Sequence, residues 1–138
     1  MRVVIDTNVL VSGLLSPFGP PGRIVDLLTS GLLVLLFDDR TMQEYQDVLY
    51  RPKFGFRLRE VDTLLAFLRT EGEHITTQPS NLEIKDLMDL PFVEIALQGL
   101  ADFLITGNLK DFKFEKPEIM ELIVSPNQFL RHWQKTYS

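Results

Sequence analysis

The sequence predicts an α/β fold in which a parallel sheet is covered by helices on both faces. Short apolar runs, typical of buried strands, alternate along the chain with helical segments of roughly 10–15 residues. No internal repeat, low-complexity tract or linker interrupts this alternation. Because 138 residues is an ordinary length for one folding unit, we expect residues 1–138 to form a single domain.

Several segments of the chain are predicted to be strands. The first is identified by the run Val3-Val4-Ile5, because an uninterrupted aliphatic run is typical of a strand buried on both faces. The third predicted strand has only a weak apolar pattern, and the last one ends before Ser125-Pro126. The predicted strands are Arg2–Ile5, Leu33–Phe37, His74–Thr77, Phe103–Thr106 and Ile119–Val124.

The helical segments are recognised by apolar residues at helical spacing and by start and stop residues. Pro21 can begin the second helix, and Gly31 follows that helix as a stop. The third helix ends before Pro52, because a proline disfavours helical backbone in the residue preceding it. The predicted helices are Asn8–Leu15, Arg23–Thr29, Thr41–Tyr50, Glu60–Arg69, Pro91–Leu100 and Gln128–Lys135.

The residue content excludes several classes of protein. The chain has no cysteine, so neither a disulfide framework nor a thiolate metal site can form. The formal net charge of −5 argues against a protein that clamps nucleic acid by charge alone. No signal peptide is visible, and the longest apolar run, Leu32–Phe37, is too short to cross a bilayer. We therefore expect a soluble, cytoplasmic protein that does not contact the membrane.

Acidic and polar residues follow the predicted strands at the point where each strand ends. Parallel strands joined by right-handed crossovers end at the same edge of the sheet, and ligands of open α/β sheets bind at that edge. Residues far apart in the sequence are thus predicted to meet there. They are Asp6, Thr7, Asn8, Asp38, Asp39, Glu44, Asp86, Asp89, Thr106, Gly107, Asn108 and Asp111.

Several carboxylates at one edge require a compensating charge. Carboxylates that lie close together repel one another, so either some are protonated or a cation neutralises them. Oxygen ligands suit Mg²⁺ or Mn²⁺, and such ions can assist phosphodiester hydrolysis. The sequence therefore predicts that a divalent metal compensates Asp6 and serves a hydrolytic reaction.

Each acid also has a purely structural interpretation. Asp6 could be the N-cap of the segment that follows it. Thr41 and Glu44 have the spacing of a capping box, in which Glu44 would bond to the backbone of Thr41. Asp89 is favoured at the start of a helix by the helix dipole alone. Caps, solvated loops or turns would account for Asp39, Asp86 and Asp102.

Four stretches of the sequence together resemble a known family. These are Val4–Ser12 (VIDTNVLVS), Gln43–Phe54 with its Glu-Tyr pair and Arg-Pro-Lys-Phe turn, Asp89 with Phe92, and Ala101–Asn108 (ADFLITGN). They resemble the PIN domain, and in particular the toxin–antitoxin PIN proteins of bacteria and archaea. The resemblance extends from about residue 2 to about residue 125.

The resemblance implies a three-layer α/β/α sandwich of Rossmann type, with a mostly parallel sheet of about five strands. It also implies a ribonuclease that depends on Mg²⁺ or Mn²⁺, with Asp6, Glu44 and Asp89 as its catalytic and metal-binding acids. The family commonly has a fourth acid where this chain has Asn108. Asp111 could replace that acid after a slight shift of the loop.

Other residues are predicted to support this chemistry. Asn8, Thr106, Asn108 and Asp111 are expected to supply hydrogen bonds around the metal site. Single-stranded RNA is the expected substrate, because an acidic rim of this kind cannot read the groove of a duplex. For RNA binding, basic residues interleaved with aromatic rings follow the third helix. They are Arg51, Lys53, Phe54, Phe56, Arg57 and Arg59, of which the phenylalanines could instead anchor the core.

Other functions compete with an active ribonuclease. The chain could be a weak or inactive module with this fold that binds RNA or a protein, and the uncharged Asn108 favours that alternative. A phosphatase with an aspartyl nucleophile usually has a second aspartate where this chain has Asn8, and a dinucleotide-binding protein needs a Gly-x-Gly-x-x-Gly loop that the sequence lacks. An antitoxin protein and a second copy of the chain are the expected protein partners.

Overall fold

The computed structural model describes residues 1–137, and in that range five strands form one parallel sheet. The strands are β1 (Arg2–Ile5), β2 (Val34–Phe37), β3 (Glu73–His74), β4 (Phe103–Ile105) and β5 (Ile123–Val124). Their order across the sheet is β3-β2-β1-β4-β5, and each neighbouring pair is parallel. This arrangement places β1 at the centre of the sheet.

Seven α-helices within residues 1–137 complete an α/β/α sandwich, as predicted. Helix α5 packs on β1, β2 and β4, whereas α4 packs on β2 and α7 packs on β4. No helix of the described range is long and apolar enough to cross a membrane. The helices are α1 (Thr7–Leu15), α2 (Pro20–Thr29), α3 (Asp39–Leu49), α4 (Leu58–Glu71), α5 (Leu90–Gln98), α6 (Pro117–Met120) and α7 (Pro126–Tyr137).

The central strand is held by its apolar residues and leads directly to the candidate site. Val3, Val4 and Ile5 are all fully buried, as expected for a strand covered on both faces. The backbone N–H of the next residue, Asp6, still donates to the carbonyl of Ile105 at 2.9 Å. Asp6 is therefore fixed in the sheet's hydrogen-bond ladder although it lies beyond the strand.

The last predicted strand is wrong in its first half. The structure has helix α6 at Pro117–Met120 and a strand only at Ile123–Val124. Pro117 occupies the first turn of that helix, where a proline is favoured because its missing N–H would be unpaired anyway. Ile119 is buried as the inward residue of this turn, which explains why its apolar character suggested a strand.

The third predicted strand is shorter than expected and begins one residue earlier, at Glu73. After His74 only one more sheet hydrogen bond forms, from the N–H of Ile75 to the carbonyl of Phe37 at 2.8 Å. The chain then leaves the sheet. Residues 75–80 consequently form a wall beside the carboxyl ends of β2 and β3 and do not continue the sheet.

The C-terminal helix begins at Pro126, two residues before the predicted start. The hydroxyl of Ser125 accepts from the N–H of Gln128 at 3.1 Å, and the amide oxygen of Gln128 accepts from the N–H of Ser125 at 2.9 Å. This reciprocal pair is a capping box with serine and glutamine at its two positions. The sequence contains its spacing, so the helix start could have been predicted.

Candidate active site

Asp6 lies at the carboxyl end of the central strand and is only 5% exposed. Its Oδ2 atom accepts hydrogen bonds from the hydroxyl of Thr106 at 2.7 Å and from the side-chain amide of Asn8 at 3.0 Å. Asp6 occupies the N-cap position of α1, but its side chain makes no capping hydrogen bond. Its carboxylate is thus bonded to a side chain in the first turn of α1 and to Thr106 after β4.

The first turn of α1 and the turn after β4 are joined by hydrogen bonds around this carboxylate. The N–H of Asn108 donates to the hydroxyl of Thr106 at 3.0 Å, and the N–H of Gly107 donates to the side-chain oxygen of Asn8 at 3.2 Å. A side chain at position 107 would be tight, since its Cβ would lie 3.3 Å from that oxygen of Asn8. The structure therefore brings Asn8 and Thr106 into direct contact with Asp6, and Asn108 reaches the network only through its backbone.

Glu44 is half-buried in α3, and its carboxylate accepts a hydrogen bond from the hydroxyl of Thr7. The capping box that Thr41 and Glu44 could have formed is absent from this helix. Instead Asp38 is the N-cap, and its Oδ1 accepts from the N–H of Thr41 at 3.0 Å while the Thr41 hydroxyl accepts from the N–H of Asp38 at 3.1 Å. Glu44 is consequently free of the helix start and is directed to the residue that follows Asp6.

Asp89 ends a short 3-10 turn, Leu87–Asp89, and stands directly before α5. Its carboxylate makes no capping hydrogen bond to that helix, although the position favours one. The cap of the preceding turn is Asp86, which accepts from the N–H of Met88 at 2.9 Å. Asp86 thus has the structural role that its sequence position suggested, whereas Asp89 has no such role.

The carboxylates of Asp6, Glu44 and Asp89, here called the acid cluster, disfavour one another's charge. Burial and then the negative charges of Asp6, Asp86, Glu44 and Asp111 raise the pKa of Asp89 from 3.8 to about 7. Burial also raises the pKa of Asp6, partly offset by hydrogen bonds from Thr106, the backbone of Thr7 and Asn8. The pKa of Glu44 is raised chiefly by burial and further by the charge of Asp6. Three acids from distant parts of the chain therefore interact at one edge of the sheet.

The donor set of the acid cluster suits a hard divalent cation. Its groups are carboxylate oxygens, which Mg²⁺ and Mn²⁺ prefer, and their raised pKa values are the effect that a nearby cation would reverse. Within residues 1–137, however, no three acidic or histidine side chains converge closely enough to hold one ion. Two of the carboxylates bond to hydroxyls instead, Asp6 to Thr106 and Glu44 to Thr7. Rotation about their side-chain bonds would be needed to direct them at a common ion.

At the fourth acidic position the chain has Asn108, and Asp111 was the acid expected to replace it. Asn108 is exposed, and its side chain does not cap the 3-10 turn that follows it. Asp111 is three-quarters buried, and its negative charge contributes to the raised pKa values of Asp6 and Asp89. Its Oδ1 is paired with the ammonium of Lys85 at 3.1 Å. The acid nearest to the cluster on this side is therefore Asp111, and it carries its own counter-charge.

The predicted RNA-binding residues lie on the segment between α3 and α4. Arg51, Lys53 and Arg57 are exposed, and the positive charge of Arg51 lowers the pKa of Glu44, which places the segment beside the acid cluster. Phe54 and Phe56 stack on each other with ring centroids 5.7 Å apart, and both pack partly against the core. The two interpretations of these rings, as core anchors and as an exposed stacking surface, are thus compatible.

Sequence reasoning missed the residue that connects the acid-bearing elements. Tyr45 is fully buried, and its hydroxyl donates to the carbonyl of Ile5 at 2.5 Å. Its ring packs against Phe92 of α5, with centroids 6.1 Å apart. Tyr45 is therefore next to Glu44 in sequence, bonds to the residue before Asp6, and contacts the helix that follows Asp89. Its place in the Glu-Tyr pair was the available signal, but no positioning role was predicted for it.

Comparison with known proteins agrees with this geometry. The family model for the PIN domain matches residues 2–110. An uncharacterized protein of Methanocaldococcus jannaschii is 29% identical in an alignment that covers 100% of this chain and 95% of that protein. No solved structure matches the chain significantly. Since the family match runs through four of the five strands and through the whole acid cluster, the chain belongs to the PIN domain family, whose members are generally nucleases.

Proposed function

We propose that this protein is an endoribonuclease that uses Mg²⁺ or Mn²⁺ to hydrolyse phosphodiester bonds of single-stranded RNA. The observation that carries the proposal is the mutual effect of the three acids, through which burial and neighbouring carboxylates raise the pKa of Asp89 to about 7. Such an arrangement is costly for a structural site but useful for binding a cation. Membership of the PIN domain family supports the same chemistry.

In this proposal Asp6 and Asp89 hold the metal ion, directly or through water. A bound divalent cation would offset the negative charge of the scissile phosphate and lower the pKa of water. The hydrogen bonds from Thr106 and Asn8 fix Oδ2 of Asp6, and with it the carboxylate that would hold the ion. Asp111 supports the site from the β4 side as a charge that Lys85 keeps partly neutralised.

In the same proposal Glu44 acts on the attacking water. Its carboxylate, held by the hydroxyl of Thr7, orients the attacking water or accepts a proton from it. A raised pKa brings this carboxylate closer to the range in which a base works well near neutral pH. Arg51, Lys53 and Arg57 contact the phosphates of the strand on the side of Glu44.

The test is cleavage of an unstructured RNA with and without Mn²⁺. We expect cleavage by the wild type, and its loss in Asp6→Asn, because the amide removes the charge that binds the cation. Asp26→Asn is the matched control, since Asp26 is an exposed residue of α2 outside the site. Asn108→Asp should increase the rate if the missing fourth charge limits it. Equal cleavage by the wild type and Asp6→Asn would refute the mechanism.

A second candidate is a weakly active or inactive PIN module that binds RNA or a protein partner. Two observations favour it: the uncharged Asn108 at the fourth acidic position, and the pairing of Asp111 with Lys85. Isothermal titration with Mn²⁺ separates the two candidates, because a nuclease needs a site that Asp6→Asn abolishes and an inert module does not. Under the first candidate an antitoxin protein and a second copy of the chain remain proposed partners, and the cytoplasm the proposed location.

A further inference from the structure

A cavity of about 520 Å³ opens at the carboxyl edge of the sheet over the ends of β2 and β3. Its walls are the start of α3, residues 75–80 after β3, and the first turns of α5. The volume lies in the range of roughly 300–1,000 Å³ that small-molecule sites have. It adjoins the acid cluster, because its lining residue Leu90 follows Asp89 and its lining residue Asp38 follows the strand next to β1.

The interior of the cavity has one positive side chain paired with two carboxylates. Arg40 donates to Oδ2 of Asp38 through Nε at 2.8 Å and to Oε1 of Glu94 through Nη1 at 2.8 Å. It also donates to the hydroxyl of Thr77 through Nη2 at 3.0 Å. The other oxygen of Glu94 accepts from the N–H of Ser80 at 2.8 Å. The guanidinium is therefore engaged with protein groups, and this interior suits a neutral polar ligand better than a phosphate.

The groups that remain for a ligand include one carboxylate and one hydroxyl. Asp39 on the rim is 97% exposed, and only its Oδ1 is bonded, to Nε2 of His74 at 3.1 Å. The hydroxyl of Ser80 is fully buried beside Glu94, so it does not reach a ligand in the cavity. The hydroxyl of Thr77 accepts from Arg40 and still has its proton to donate. A ligand that fits must offer an N–H group to Asp39 and can accept a hydrogen bond from Thr77.

The lining of the cavity also has an apolar part. Ile75, Pro79 and Leu90 supply aliphatic surface, whereas the polar groups lie at the rim and in the interior. A heterocycle can place its faces against aliphatic side chains while its edge meets the polar atoms. Unpaired bases of single-stranded RNA are flat heterocycles of this kind, and proteins that read such RNA bind bases by their edges.

We propose that this cavity is a nucleobase subsite, which receives one unpaired base beside the cleaved phosphate and prefers bases that carry an amino group. This inference rests on the proposed function, because it assigns a subsite to the proposed RNA substrate. Adenine, cytosine and guanine offer an amino group to the carboxylate of Asp39, as acidic side chains accept from the amino group of cytosine in DNA grooves. Uracil has no amino group and is disfavoured.

The test uses nucleosides and needs neither metal nor cleavage. Adenosine, cytidine, guanosine and uridine are titrated into the ¹⁵N-labelled protein in the presence of a chelator, and backbone amide shifts are followed by NMR. We expect saturating shifts at His74, Thr77 and Ser80 with the three amino-bearing nucleosides and weaker ones with uridine.

A pair of matched variants tests whether the amide chemical-shift changes come from binding in the cavity. Asp39→Asn exchanges one acceptor oxygen for an amide donor, so it should lower the affinity for amino-bearing nucleosides about tenfold. Asp47→Asn makes the same change on an exposed residue of the same helix outside the cavity and should bind like the wild type. Both variants change exposed side chains, so their folds should persist, which circular dichroism checks.

The outcomes separate this inference from the proposed function. Nucleoside shifts confined to the cavity, weakened in Asp39→Asn alone, support the subsite whether or not RNA is cleaved. Metal-dependent cleavage without amide chemical-shift changes at the cavity would support the proposed nuclease and refute the subsite. Equal affinity of Asp39→Asn and Asp47→Asn for the amino-bearing nucleosides would also overturn the subsite. So would uridine binding as tightly as the other nucleosides.

Discussion

At the scale of single residues, Thr106 has two simultaneous roles. Its hydroxyl donates to the carboxylate of Asp6 and accepts from the N–H of Asn108, so one oxygen atom joins the carboxylate to the turn after β4. This hydroxyl also lowers the pKa of Asp6 against the effect of burial. Thr106 is completely buried, which means that no solvent molecule can replace it without a change in structure.

Thr106→Val should therefore weaken both the fold and the affinity for cations. The substitution keeps the shape but removes one of the donors to a buried carboxylate, which costs roughly 1–3 kcal/mol. We expect a lower free energy of unfolding in urea and a weaker Mn²⁺ affinity near neutral pH. The control is Thr63→Val, which removes an exposed hydroxyl from α4. An unchanged Mn²⁺ affinity in Thr106→Val would show that this hydroxyl does not support the site.

The raised pKa of Asp89 predicts a pH dependence of stability in metal-free protein. Burial and neighbouring carboxylates raise this pKa from 3.8 to about 7, so the folded chain binds the proton more tightly than the unfolded chain. The resulting stabilisation is fully present below a pH of about 4 and is lost as the pH rises through about 7. Asp89→Asn removes this contribution.

The measurement is urea unfolding with a chelator at several pH values from acidic to mildly alkaline. The loss of stability with rising pH should be smaller in Asp89→Asn than in the wild type. Asp26→Asn, which lies outside the cluster, should follow the wild type. Parallel pH profiles for all three proteins would mean that Asp89 titrates normally in the fold.

At the scale of elements, the side chain of Tyr45 connects strand β1 with helices α3 and α5. Its hydroxyl holds the end of β1, its ring packs against α5, and its backbone belongs to α3. Each of these elements carries one residue of the acid cluster at the adjacent position or turn. The spacing of the three acids thus depends on contacts that a single buried side chain makes.

Tyr45→Phe should alter the cluster while the packing of the ring is kept. The carbonyl of Ile5 loses its donor, which costs roughly 1–3 kcal/mol, and the end of β1 is less firmly held. We expect the Mn²⁺ affinity to fall together with the stability. Tyr50→Phe is the matched control in the segment that ends α3, because Tyr50 bonds Asp62 at the surface. If both variants bind Mn²⁺ equally well, Tyr45 has no positioning role.

A second connection between elements is the pairing of Arg40 with two buried acids. Arg40→Met would leave Asp38 and Glu94 without their counter-charge, and breaking a buried pair costs about 3 kcal/mol or more. Because the arginine side chain is itself 46% exposed, we expect a loss near the lower end of that range. Adding Glu94→Gln should restore part of the lost stability in urea unfolding. No recovery in the double variant would show that the packing of Arg40, and not its charge, matters.

The elements whose bounds sequence reasoning predicted most closely are those with a clear pattern. Strand β1 and helix α3 extend over enough residues to show a buried run or a helical stripe. Strands β3 and β5 have two residues each, which is too short for any periodicity to appear. The short helix α6 was missed because its apolar residues were assigned to the strand that follows. Its start was nevertheless marked by Pro117.

At the scale of the whole molecule, the topology of the sheet brings the acids together. The crossovers place the carboxyl ends of all five strands at one edge, so acids that follow different strands become neighbours. This convergence could be predicted from the alternation of strands and helices alone. The contacts of Tyr45 and Arg40 could not, because they depend on which side chains of separate elements meet in the folded core.

The distribution of charge predicts how RNA binding responds to salt. The chain as a whole carries a net charge of −5, so phosphate contacts must come from local basic residues such as Lys53. Lys53→Gln should reduce the slope of log affinity against log salt concentration by about 0.7 for a lost phosphate contact of a single strand. Fluorescence anisotropy with a labelled RNA and a chelator measures binding without cleavage. Lys135→Gln on α7 is the control, and an equal slope change there would contradict a specific basic patch.

The two outer strands of the sheet, β3 and β5, have only two residues each. Long unpaired edge strands invite another chain to extend the sheet, and very short ones are a known protection against such aggregation. Neither edge strand is long enough for a strand of another chain to pair with it stably. Any self-association of the protein would consequently have to use helical surfaces, and the fold should resist conversion into amyloid-like fibres as long as it stays intact.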